Sequence, residues 1–68
     1  MKYAVECRVM FGRSFSDWER ETKDDYREAL ALFEQRCRHR LHDEVRFVTR
    51  AAGSDIVSRL WLRPKVSA

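Results

Sequence analysis

The stretch DEVRFVTRAAGSDIVSRLWLR, residues 43–63, holds two runs of alternating character on either side of a loop with Gly53 at its centre. It reads as two antiparallel strands, Asp43 to Arg50 and Ile56 to Arg63, closed by a short turn. Side chains two apart on a strand share a face. Arg46, Val48 and Arg50 therefore stand together, as do Arg59, Trp61 and Arg63. The opposite parity, Val45, Phe47, Ile56, Leu60 and Leu62, is what a core takes, so the arginine row and Trp61 are expected to face outward. Pro64 lacks a donor and ends the pairing, leaving residues 64–68 as a short tail.

Upstream lies a helix. Tyr26, Ala29, Leu30, Phe33, Cys37 and Leu41 form one apolar stripe at helical spacing, and Asp25 followed by Glu28 is a capping box before it. Arg36, Arg38, His39, Arg40 and His42 crowd its last turns, where cations complement the negative end of the helix dipole. Residues 15–23 read two ways. Ser16 with Glu19 offers an earlier cap, so the helix could start there and give β-α-β-β. The start signal at Asp25 favours a strand over Phe15 to Lys23 and a helix from Tyr26 to about Leu41. From Lys2 to Phe11, Tyr3, Val5, Cys7, Val9 and Phe11 alternate with Lys2, Ala4, Glu6, Arg8 and Met10, which makes a first strand, and Gly12 to Ser14 makes a turn. The expected fold is α+β, β-β-α-β-β, a small antiparallel sheet with one helix on one face. Met10, Val48, Val57 and Trp61 would lie on the uncovered face among Arg8, Arg46, Arg50, Arg59 and Arg63, with Trp18 beside them.

The 68 residues are enough for one domain, 1–68, and for no deep substrate cavity. The composition, 44% hydrophobic and 37% charged, is that of a folded chain. No apolar run approaches the length that spans a bilayer, and a strand-like segment follows Met1 directly. No membrane partner is expected, and the expected location is the cytoplasm of a bacterial or phage-infected host cell. Cys7 and Cys37 sit on apolar parities and read as free, buried thiols. The net charge of +3 conceals an asymmetry: residues 1–35 carry six basic and eight acidic side chains, and residues 36–68 carry eight basic and three acidic. The second half is thus the one suited to an anionic partner.

No catalytic signature accompanies these features. Cys37, His39 and His42 are too few, and residues two apart on a helix point away from each other, so no metal site is expected. Asp17, Asp24, Asp25, Asp43 and Glu44 fall at caps and turns, and Gly12 and Gly53 are isolated, so no nuclease site, phosphate loop or other cofactor site is expected either. The reading is a non-enzymatic binding module with partner-contacting residues Arg8, Arg46, Arg50, Arg59, Trp61 and Arg63, and a second basic patch at Arg36, Arg38 and Arg40. Trp and Arg are the residues that most often carry binding energy. A protein or ribonucleoprotein complex comes first as partner. Single-stranded DNA or RNA comes second, because Trp61 is a lone outward ring where nucleic-acid-binding sheets present two or three. A homodimer closed on the open face comes third. In a fourth reading the arginines pair with Glu6, Glu44 and the row Asp17, Glu19, Glu21 as a solvated face.

The short length, the order of elements and the closing strand with Leu60, Trp61 and Leu62 resemble the small phage-encoded anti-CRISPR proteins. That resemblance implies an inhibitor docking on a CRISPR surveillance complex where target DNA or guide would run. Plain DNA mimics are acidic, so a basic member would grip acidic protein surface or bind nucleic acid itself.

Overall fold

The computed structural model describes residues 2–64; the expected tail lies, apart from Pro64, outside them. The elements are β1 (Tyr3–Arg8), β2 (Met10–Phe11), β3 (Ser14–Phe15), β4 (Glu19–Lys23), α1 (Tyr26–His39), β5 (Glu44–Ala51) and β6 (Ser54–Leu62). The fold is α+β: a four-stranded antiparallel sheet ordered β4-β1-β5-β6, a separate two-stranded sheet β2-β3, and one helix packed on one face. The hairpin-then-helix reading of residues 15–23 holds, and the earlier helix start does not.

Local chemistry sets the ends of the elements. Asp25 caps α1, its carboxylate accepting the amide of Glu28 at 3.0 Å. Arg40, left-handed at φ 55°, closes the helix two residues before the expected end at Leu41 and turns that leucine out to 68% exposure. The β5–β6 turn is Ala52-Gly53, both at positive φ (50° and 81°), as a two-residue hairpin loop with right-handed twist requires.

The first hairpin is irregular. β1 pairs with β4 as far as Cys7 opposite Glu19, whereas Met10 stands opposite Phe15, so the strand between must hold one extra residue. Ser16 and Val9 bond across the break: the Ser16 amide donates to the Val9 carbonyl at 2.8 Å, and the Val9 amide to Ser16 Oγ at 2.9 Å. This bulge, at Asp17-Trp18, replaces the continuous strands expected over 2–11 and 15–23 and re-aims Trp18.

α1 lies over β1, β5 and β4, and the core beneath it holds Val5, Cys7, Ala29, Phe33, Val45 and Phe47. Phe47 is its centre, 1% exposed, with Tyr3, Tyr26 and Phe33 rings 5.8 to 6.1 Å away. Each such ring pair adds about 0.5–1.5 kcal/mol beyond area burial.

The closing strand corrects the expected faces. Phe47 stands opposite Arg59 but Val48 opposite Val57, so Ser58 is an extra residue and the parity of β6 reverses there. Trp61, opposite Val45, packs against the core on the helix side, and Arg59, opposite Phe47, shares that side. Leu60 and Leu62, expected in the core, stand opposite Arg46 and Glu44 on the open face and are exposed. Ile56 keeps the helix side, but α1 does not reach over β6, and it too is exposed.

Candidate functional site

The open face is a closed electrostatic network. Glu6, 6% exposed, accepts from Arg46 Nε at 2.5 Å and lies 3.5 Å from Arg20. Arg20 also reaches Asp55 at 3.6 Å, and Arg50 bonds the same carboxylate at 3.0 Å. To pass from β4 to a residue of β6, the Arg20 side chain crosses β1 and β5. It therefore roofs Ala4 and Val48, which are buried although they stand on the uncovered face. Arg8 bonds Glu44 at 2.6 Å. The hydrogen bond from Arg50, and then the nearby cations, hold the Asp55 carboxyl below its ordinary range.

Aromatic rings complete the network. The Arg8 guanidinium lies 3.8 Å from the centre of the Phe15 ring and 4.3 Å from that of Trp18, and the Arg46 guanidinium lies 4.0 Å from Trp18. The result is a column of ring, cation, ring and cation. Both rings of this face are thereby engaged. Beside the column, Met10, Phe15, Leu62 and Pro64 line an apolar groove of about 510 Å³ rimmed by Asp43, Glu44 and Arg63.

The predicted site residues divide accordingly. Arg8, Arg46 and Arg50 sit in the matched network, and Arg63 lies 3.5 Å from Asp43. The second basic patch splits: Arg36 and Arg38, two apart on the helix, diverge, and Arg40 lies past the helix end. Arg36 turns to β4 and pairs with Glu21 at 3.2 Å, whereas Arg38 and Arg40 share a groove with Trp61. These two, with Phe33, Glu34, Cys37 and Trp61, line an open groove of about 490 Å³ between α1 and β6. Arg59 stands two residues before Trp61 on the same side of the strand. Among the described residues, Arg38, Arg40 and Arg59 have no hydrogen-bond or ion-pair partner.

Cys7 and Cys37 are free thiols; burial pushes Cys7 up to about 11 and raises Cys37 as well. His42 is buried with Nε2 3.2 Å from Glu19, and its Nδ1 has no partner among the described residues. No group of three or more His, Cys, Asp or Glu among the described residues is placed to hold a metal ion. No helix of the described residues is long and apolar enough to cross a membrane.

Comparison with protein families, with characterised proteins and with solved structures finds no match to this chain. Sequence reading missed two features of the site. Trp18 as the clamp of the arginine row depends on a bulge that carries no glycine, and the place of Trp61 in one groove with Arg38 and Arg40 depends on the other bulge, at Ser58.

Proposed function

We propose that the chain is a non-catalytic binding module that grips an acidic segment of a protein partner in the groove between α1 and β6. The observation that carries this reading is that three unpaired guanidiniums fall on the side of the half-buried Trp61: Arg38 and Arg40 line its groove, and Arg59 stands two residues before it on the same side of the strand. Elsewhere on the sheet the arginines are spent on internal carboxylates, whereas these three lie on the side of Trp61 and can meet a partner without breaking a bond. A nucleic acid is favoured less. The Phe15 and Trp18 rings, which stand on the sheet face beside its arginine row, are already stacked on those arginines and are not open to bases. Within this class, the partner we put first is a CRISPR ribonucleoprotein complex, on the strength of the likeness in size, element order and closing strand to anti-CRISPR inhibitors.

A titration tests the reading. In a Trp18→Phe background Trp61 is the sole indole, and its emission is followed as a ten-residue glutamate-rich peptide or a single-stranded oligonucleotide of equal charge is added. The peptide should bind, and Arg38→Ala with Arg59→Ala should weaken it at least tenfold. Tighter binding of the oligonucleotide, with a log-log salt slope of roughly 0.7 per phosphate contacted, would replace the protein partner by nucleic acid.

A further inference from the structure

The two edges of the main sheet are built differently. β4 presents Glu19, Arg20, Glu21, Thr22 and Lys23, a short charged edge of the kind that discourages strand addition. β6 is nine residues long and, among the described residues, bonded only to β5, and Ile56, Val57, Leu60 and Leu62 are 46–60% exposed on it. A long apolar edge of this kind is a template for another strand.

The bulge selects which strand. Before Ser58, Asp55 and Val57 face the open side and Ile56 the helix side; after it, Leu60 and Leu62 face the open side and Arg59 and Trp61 the helix side. Ser58 itself is on the helix side, its hydroxyl 2.7 Å from that of Thr49. An antiparallel pairing must oppose residues of like face. If β6 meets a second β6, one register about its centre satisfies this: Val57 against Leu60, Ile56 against Trp61, Asp55 against Leu62 and Ser58 against Arg59, each pair made twice. A slip of one residue sets Val57 against a residue of the other face. Over its full length the strand is thus self-complementary in one alignment, with apolar pairs of Val57 with Leu60 and Ile56 with Trp61 on its two faces, a condition that an unrelated strand has no reason to meet.

We propose that two copies of the chain join through β6 in this register, as a two-fold dimer with one eight-stranded sheet and both helices on the same face. The dimer rests on the groove reading and completes it. Each α1 is centred on β1, so the two axes stand five strand spacings apart, about 24 Å, and leave a trough roughly 14 Å wide between helices about 10 Å across. Trp61, Ile56 and Arg59 of both copies form its floor, and Arg38 and Arg40 of each copy line its walls. An acidic segment would then meet six cations instead of three. The two Arg59 side chains flank the two-fold axis and repel each other, so salt, or an acidic peptide in the trough, tightens the dimer.

Sedimentation equilibrium on the full chain tests this. The expected mass is twice 8.2 kDa at tens of micromolar, with self-association rising in 0.5 M salt. Val57→Lys with Leu60→Lys should halve the mass with the far-UV spectrum unchanged, since both side chains are exposed in the single chain, and Leu41→Lys should leave the dimer intact. The register is read separately in a Cys37→Ser background: Val57→Cys with Leu60→Cys should oxidise to a covalent dimer, and Val57→Cys alone should not. A wild type that stays at 8.2 kDa at several hundred micromolar overturns the dimer, and cross-linking by the single thiol but not the pair overturns the register. A monomer whose peptide binding still depends on Arg38 and Arg59 removes the dimer and leaves the proposed function; a dimer that binds no peptide does the reverse.

Discussion

Replacing Glu6 by alanine tests whether the arginine row of the open face holds the sheet together. Glu6 is 6% exposed and faces Arg46 at 2.5 Å and Arg20 at 3.5 Å. Removing one member of a buried ion pair costs about 3–5 kcal/mol, because the charge left behind is desolvated without a partner. Here the arginine side chains are 30% and 32% exposed, so water recovers part of that cost and about 3 kcal/mol is expected. The total stability of a chain this long is roughly 3–10 kcal/mol, so the variant should be close to unfolding at 37 °C. Thermal melting followed by circular dichroism should show a fall of roughly 12–24 °C. Glu6→Gln keeps an acceptor for Arg46 and should lose only about 1–2 kcal/mol. Replacing Glu6 and Arg46 together by leucine should come out near neutral, since no charge is stranded and Arg20 keeps Asp55. A loss below about 1 kcal/mol for Glu6→Ala would show that the Glu6 pairs do not hold the sheet and would return Arg46 to the set of cations free for a partner.

Two further outcomes follow from backbone geometry and from the thiols. Arg40→Gly removes a side chain from the left-handed position at φ 55°, so stability should rise by about 1 kcal/mol while acidic-peptide affinity falls several-fold; urea melts and the Trp61 titration read the opposed signs. Alkylation at pH 8 followed by mass spectrometry should modify Cys37 slowly and Cys7 only on global unfolding. Because burial holds the Cys7 thiol up to about 11, the unfolded chain loses that proton first, and stability should fall as pH rises from about 9 towards 11.

The parts of the fold that depend on local chemistry were legible in the sequence. Asp25 with Glu28 marked the helix start, Gly53 marked the closing turn, and the apolar alternation of Tyr3, Val5 and Cys7 marked a strand that became central. What could not be read is the face each side chain takes, because period two is an inference that one extra residue inverts. Ser58 and the pair Asp17-Trp18 have no compositional mark of a bulge, yet one turns Trp61 into the helix side and the other carries Trp18 onto the arginines. The pairing of Glu6 with Arg46, forty positions along, is likewise set by strand order rather than by anything local.

These inversions change what the arginines mean. A basic strand invites the thought of an anionic partner, but a guanidinium already held by a carboxylate and a ring gains little from a phosphate, since it must first give up what it has. On the open face Arg8, Arg46 and Arg50 are held in this way. On the helix side Arg38, Arg40 and Arg59 are not, and the bulge at Ser58 is what delivers Trp61 to their side while leaving Val57, Leu60 and Leu62 on the other. One extra residue therefore does two things: it places an indole among unpaired cations, and it gives the uncovered edge a self-complementary pattern. Deleting Ser58 should remove the bulge and keep both faces, because Arg59 would then follow Val57 directly and still stand opposite Phe47, with Leu60 opposite Arg46 and Trp61 opposite Val45. A deletion variant that folds but whose Trp61 emission no longer responds to acidic peptide would show that the pairing of β6 with β5 is not what places the indole beside the cations.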